Sequence, residues 1–169
     1  ANSVAPILIS EQQGWHKSTF RRMLLPPELR MFYTDSFDLA AESQCELRLT
    51  DCLLINLDEF DRYSSHKQST LKNLMQMPSL RCRKAYARNA TTLPRVASFI
   101  GTSNTPRLLT DPTGSRRFLC VELTHMIDVD TPICHAQLYA QCMHLLRNGE
   151  RHHFTADEVA NIELHNRAY

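Results

Sequence analysis

Lys17-Ser18 is the pair in this chain best suited to phosphate chemistry. It follows Gly14 and, further back, the apolar run Pro6-Ile7-Leu8-Ile9. A strand, then G-x-x-x-x-G-K-[ST], then a helix forms a loop whose backbone N–H groups cradle phosphates. Its Lys reaches them and its Ser holds Mg²⁺. Counting back from Lys17, the two glycine positions fall on Glu11 and His16. His tolerates φ > 0 better than most residues other than Gly, and a protonated ring could donate to phosphate. A carboxylate at position 11 would repel phosphates unless it points outward.

Three further groupings could serve the same chemistry. Leu53-Leu54-Ile55-Asn56-Leu57 runs into Asp58-Glu59. An apolar strand that delivers two carboxylates at its end suits nucleotide hydrolysis, one holding Mg²⁺ through water and the next polarising the attacking water. Phe99 to Asn104 ends in small polar residues and an amide, which can orient a water or contact a terminal phosphate. Thr110 to Phe118 places Arg116 and Arg117 on a Gly-containing loop before an apolar strand. A guanidinium fork there stabilises charge developing on a transferring phosphoryl group, and a neighbouring subunit can supply it. Each grouping alone has a plainer reading, as a polar strand end, an Asn turn or a solvated Arg pair.

The elements that must position these residues alternate between apolar runs and helical patterns, which predicts α/β architecture with a largely parallel sheet. A first strand over 6–9 is followed by a helix from Lys17, with Phe20, Met23 and Leu24 on one face, stopped by Pro26-Pro27. A short strand is expected over 32–34, and Asp38 is expected to cap a helix reaching about Leu49. The run 53–57 predicts a strand buried on both faces. Ser64 or Ser65 should cap a helix carrying Leu71, Leu74 and Met75, which ends before Pro78. Strands are expected over 80–86 and 95–100, around a polar turn at 89–92, and again over 118–123. Thr131-Pro132 predicts the start of a helix that Gly149 ends. Thr155-Ala156-Asp157-Glu158 has the form of a capping box opening the last helix.

Composition narrows the class. A chain of 169 residues with 43% hydrophobic content can bury a sizeable core. Its net charge of +1, from 19 basic and 18 acidic residues, predicts that any nucleic-acid surface is a local patch. The dense basic stretch is Arg81, Arg83, Lys84 and Arg88, with Tyr86 among them. It could track a nucleic-acid backbone while Tyr86 stacks on a base, or it could be a charged edge hairpin that resists aggregation. Trp15 could stack on an adenine or pack on the first helix. No apolar run approaches the roughly 18 residues of a membrane span. Six cysteines without a C-x-x-C pair predict reduced core thiols in a cytoplasmic protein. His152-His153 beside Gly149 is expected in a solvated turn. The first residues run straight into a strand, as expected for a piece of a longer polypeptide.

The order of these elements resembles the virulence-associated E (VapE-like) family, whose ATPase domain is similar to the superfamily 3 helicases of plasmid, phage and viral replication proteins. The residues that carry the resemblance are Gln13-Gly14 through Lys17-Ser18-Thr19-Phe20, Asn56 to Glu59, Arg83 to Arg88, Phe99 to Asn104, and Asp111 to Phe118. It implies a P-loop NTPase fold of the RecA/AAA+-like, additional-strand type: a mostly parallel central sheet flanked by helices. The ATPase core would span 1–125, with a C-terminal helical extension over 126–169. It also implies a ring-forming motor of a bacterial, phage or mobile-element replication protein, using ATP and Mg²⁺ on single-stranded or forked DNA. A primase-like region could lie elsewhere in the parent polypeptide.

In that reading Gln13, Gly14, Trp15, His16, Lys17, Ser18 and Thr19 bind nucleotide, and Ser18 and Asp58 hold Mg²⁺. Glu59 is the base, Asn104 the sensor, and Arg116 or Arg117 a finger acting across a subunit interface. In related helicases a hairpin in the interval from Glu59 to Asn104 points into the central channel, and Ala85 here replaces the family's Pro in Arg-x-Pro-Tyr. Glu11 and His16 predict weak nucleotide affinity in the isolated domain and hydrolysis only after oligomerisation. Two other readings stay open. One is a degenerate P-loop module used for assembly, which Glu11 and His16 favour. The other is a small-molecule kinase with the Arg pair as a lid.

Overall fold

The computed structural model describes residues 3–83, 89–110 and 115–169. In chain order, β1 (Ala5–Ile9) leads to α1 (Lys17–Met23), then a 3-10 stretch (Pro27–Phe32) and β2 (Tyr33–Thr34). Next come α2 (Glu42–Asp51), β3 (Leu54–Leu57), a 3-10 turn (Phe60–Arg62) and α3 (Ser65–Gln76). They are followed by β4 (Ser79–Cys82), β5 (Thr91–Pro94), β6 (Ser98–Ser103), a second 3-10 turn (Ser115–Arg117) and β7 (Phe118–Glu122). The chain ends in α4 (His135–Arg147) and α5 (Ala156–His165), the latter followed by a 3-10 turn over Asn166–Ala168.

Five strands form one parallel sheet in the order β2-β3-β6-β1-β7. The expected α/β fold with a mostly parallel central sheet flanked by helices is what forms. All four residues of β3 are buried, as a continuous apolar run between two covered faces requires. Alternation along β1 sorts its side chains to the two faces. Ile7 and Ile9 join Ile55, Leu57, Phe99 and Phe118 in a core closed by Leu49 of α2 and by Leu71 and Met75 of α3. Leu8 joins Leu54 and Ile100 on the other face, where Phe20 and Leu24 of the α1 segment pack. One glycine lies where the three central strands pack closely. A Cβ at Gly101 of β6 would lie 2.6 Å from Ile7 Cδ1 and 3.1 Å from the Leu57 carbonyl, so a larger residue there would make the Ile7 side chain shift and crowd the β3 backbone.

β4 and β5 pair antiparallel as a separate ribbon, with Ser79 opposite Pro94 and Cys82 opposite Thr91. Thr91 and Thr92 therefore lie in a strand, where a turn was expected. The following strand also starts later, at Ser98, because Arg95 is drawn inward: its guanidinium donates to the carbonyls of Met75, Met77 and Ala97. That buried cation ties the end of α3 to the start of β6. Two helix starts also differ from expectation. Asp38 bonds the Ala40 N–H, and α2 begins at Glu42. Thr131 bonds Asp128, and α4 begins at His135. In each case a local Asx-type turn satisfies the polar side chain before the helix starts.

The end of α4 and the start of α5 follow their sequence signals. Gly149, at φ 78, closes α4 with bonds from Gly149 N–H to Leu146 and from Glu150 N–H to Leu145, the Schellman arrangement. Thr155 and Glu158 form the capping box, and Arg151 adds a two-pronged pair to Glu158 at 2.6 and 2.7 Å. The Arg151 bond first, then the Thr155 N–H, holds the Glu158 carboxyl down at about 2. A depressed carboxylate stabilises the fold above its ordinary pKa, and that stabilisation is lost as pH falls through the folded value. The start of α5 is therefore expected to stay capped through pH 4 and to loosen as pH approaches 2. A carboxyl-carbon NMR titration should place the Glu158 midpoint near 2, and a midpoint near 4 would refute this capping.

Cys45, Cys52, Cys82 and Cys120 are buried reduced thiols, and Cys134 and Cys142 are exposed ones. Burial pushes the Cys120 thiol up to about 12, which keeps it unreactive. Among the described residues, no helix is long and apolar enough to cross a membrane.

Candidate functional site

The loop after β1 and the turns after β3 and β6 converge at the carboxyl ends of the parallel strands, where open α/β sheets place their ligand crevices. Gln13, Gly14, Trp15, His16, Lys17, Ser18 and Thr19 line a cavity of about 350 Å³, with Asn104 on its far wall. Gly14 (φ 81) and His16 (φ 60) are both left-handed, so His16 adopts the conformation that the missing glycine would have supplied. Left-handed residues in such a loop can turn neighbouring N–H groups toward an anion. Glu11 is exposed and lines a neighbouring hollow with Ile9, Trp15, Pro106 and Leu123.

Lys17 crosses the cavity floor. Its ammonium donates to the Ser10 carbonyl at 2.8 Å, the Ser103 carbonyl at 3.0 Å and Asn104 Oδ1 at 3.0 Å. Burial first, and then nearby Arg21, lower its pKa against the pull of Asp61 and Asp58. Asn104 is placed from the other side by its own N–H, which donates to Asp61 at 3.3 Å. Asp61 also accepts from the Ser103 hydroxyl at 3.1 Å. Thus the ends of β1 and β6 are joined through one cation.

Glu59 is the other left-handed residue besides glycine and His16 among those described (φ 48). Such strain costs about 1–3 kcal/mol and collects at functional sites. Its carboxylate pairs with Arg62 at 2.7 Å.

The centre of the site is a residue that the motif gives no reason to single out. Arg21 lies three residues after Ser18 on α1, and its side chain is 1% exposed, while that of Asp58 is 55% exposed. One nitrogen donates to Ser18 Oγ at 2.9 Å. The other donates to Asn56 Oδ1, to Asp58 Oδ1 at 3.2 Å and to Thr102 Oγ1 at 3.2 Å. Thr102 in turn donates to Asp58 at 2.8 Å. Asn56 extends the network to Asp35, which also accepts from Tyr33 and Arg22. Burial pushes the Asp58 carboxyl up, but the Thr102 hydroxyl and the Arg21 charge outweigh it and hold Asp58 below the usual carboxylate range. An Arg at i+3 from the loop Ser, on a helix face otherwise carrying Phe20 and Leu24, was the sequence signal for this network.

Arg116 and Arg117 do not reach this cavity. They precede Phe118, which pairs with Ala5, four residues below Ile9 where the loop leaves the sheet. At 3.3 Å per residue the strand separates them from the loop by about 13 Å. Arg116 instead lines a hollow with His152, His153 and Phe154. The buried Asn166 amide holds this segment through the Ser115 and Phe118 carbonyls, at 2.9 and 2.7 Å.

In the ribbon, Leu80 and Cys82 face the core, whereas Arg81 and Arg83 are exposed. Lys84, Tyr86 and Arg88 lie outside the described residues. Among the described residues, no group of three or more His, Cys, Asp or Glu side chains is placed to hold a metal ion.

Comparison with solved structures finds the same fold in the C-terminal region of NrS-1. An A-form apo structure of its residues 305–718 is 17% identical, with a TM-score of 0.54, 99% of this chain covered and 34% of that one. A second apo structure of that region is 16% identical, with a TM-score of 0.56 and coverages of 98% and 35%. This chain thus spans about a third of the length of those structures. No curated protein sequence matches. The sequence profile of the virulence-associated protein E-like domain matches residues 2–169, taking in the loop, both strand ends and the Arg segment. The chain therefore belongs to the virulence-associated protein E-like domain family.

Proposed function

We propose that this domain is a P-loop NTPase of the RecA/AAA+-like, additional-strand type. It would hydrolyse ATP with Mg²⁺ as part of a DNA replication motor in a bacterial, phage or mobile-element protein. The observation that carries the reading is the cavity lined by residues 13–19, whose Lys17 reaches across to Asn104. The position of β6 between β1 and β3 supports the additional-strand class, since the strand leading to Lys17 and the strand leading to Asp58 are then not neighbours. A triphosphate entering the cavity would draw Lys17 from backbone carbonyls of lower charge. Asn104, released from Lys17, would then face the terminal phosphate. Glu59, one residue beyond Asp58, would take the proton of the attacking water. Arg116 or Arg117 would serve a neighbouring subunit's site.

The donors expected for Mg²⁺ are a hydroxyl and a carboxylate, the hard oxygens that ion prefers. They fit in direction too, because Ser18 and Asp58 already converge on one positive charge, the Arg21 guanidinium. When bound, the metal would offset the charge of the β- and γ-phosphates.

The second reading, an assembly module without turnover, is favoured by the same contacts: Lys17 and Arg21 satisfy the site internally. The kinase reading needs an acceptor in place of DNA. Phosphate release from ATP-Mg²⁺ by the full-length protein, with and without single-stranded or forked DNA, separates the three. The motor reading expects release stimulated at least about 100-fold by DNA, the scale on which an assembled catalytic group acts. ATP binding with no release under any DNA condition would favour the assembly module. Release that ignores DNA and follows a small acceptor would favour the kinase.

A further inference from the structure

Arg21 occupies the position where the two metal donors meet. Its guanidinium is bonded to Ser18 Oγ and Asp58 Oδ1 at once, and a divalent cation bound by the same oxygens would lie in contact with it. Cations at contact distance repel strongly in a partly buried site. Arg21 is also incompletely satisfied, because its Nε is buried with no hydrogen-bond partner. Asn56 and Thr102 hold the same nitrogen that faces Asp58, so the guanidinium has acceptors to keep when it releases Ser18 and Asp58.

We propose that Arg21 is a resident cation, which fills the metal position while the site is empty and has to withdraw before a divalent ion is loaded. The latch rests on the nucleotide-site reading above and adds to it a device for keeping the empty domain metal-free. Its consequence is that metal and nucleotide enter together. Metal alone gains two oxygens against the Arg21 charge, whereas metal with phosphate brings its own anionic ligands.

The test uses Mn²⁺, followed by the electron paramagnetic resonance signal of the free ion, with and without ADP. Wild type is expected to bind Mn²⁺ alone weakly. Arg21→Gln, which removes the charge, is expected to bind it at least about tenfold more tightly, and Arg21→Lys, which keeps the charge, to stay close to wild type. Equal Mn²⁺ affinity in wild type and a folded Arg21→Gln protein would overturn the latch.

Should Arg21→Gln fail to fold, the unmodified chain gives a second readout. The Arg21 Nε–H resonance in ¹⁵N-labelled protein is expected to be protected without metal and to shift or broaden when Mg²⁺ and ADP are added together. A resonance unmoved by saturating Mg²⁺-ADP would refute the withdrawal. The two readings fail separately. Tighter Mn²⁺ binding in Arg21→Gln with no ADP binding by either protein supports the latch and removes the nucleotide reading. ADP binding with unchanged Mn²⁺ affinity does the reverse.

Discussion

Lys17→Ala is expected to lower ATP-Mg²⁺ affinity by about 100-fold or more, measured by titration calorimetry against wild type. Hydrogen bonds to charged groups are worth about 1.5–3 kcal/mol each, and a P-loop Lys makes two of them to phosphate. A loss of about 3 kcal/mol corresponds to roughly 100-fold. The fold should survive, because Lys17 is only partly buried and its three acceptors lie at the open end of the sheet. Matching thermal melts would show that. Identical isotherms for the two proteins, both showing binding, would remove Lys17 from the nucleotide site.

The second large effect concerns the arginines. Glu59→Gln and Arg117→Ala should each depress hydrolysis by about 10³-fold, the scale of an arginine finger. Mixed in equal amounts, they should recover about a quarter of wild-type activity. In a head-to-tail ring, about one interface in four then joins an intact Glu59 to an intact Arg117. The structure motivates this directly: the two arginines sit at the foot of β7, an edge strand, while the loop leaves the top of β1. Within one chain they cannot meet. Arg116→Ala in the same mixing experiment decides which of the pair acts. Assembled mixtures without recovery would exclude a finger acting across subunits.

Glu11 and His16 have different consequences in the folded chain. His16 takes the left-handed conformation at φ 60, so the loop keeps its shape at a cost a glycine would not incur. Glu11 stands outside the cavity, so its carboxylate would not line the path of a phosphate bound there. The departures from the motif therefore bear on stability and affinity more than on architecture. The sharper restraint on the site is Arg21.

The sequence alone was enough for features that depend on neighbours in the chain. The spacing from Gly14 to Lys17-Ser18, the apolar run ending in Asp58-Glu59, the capping box at Thr155 and the Gly149 stop are local patterns. Their physics is the geometry of one strand end or one helix terminus. Local pattern failed where a side chain found a closer partner. Asp38 and Thr131 served turns, and Arg95 turned inward to cap α3. The insertion of β6 between β1 and β3 joins residues far apart in the chain: Gly101 pairs with Ile7 and with Leu57, 94 and 44 positions away. Arg21 is the clearest case. Its acceptors Asn56, Asp58 and Thr102 lie 35, 37 and 81 residues away. The sequence determined which residues could bind phosphate and metal. Only the tertiary structure decided that a buried guanidinium bonds the Ser18 hydroxyl and the Asp58 carboxylate at once, because a buried charge has to find its partners wherever the folded chain brings them.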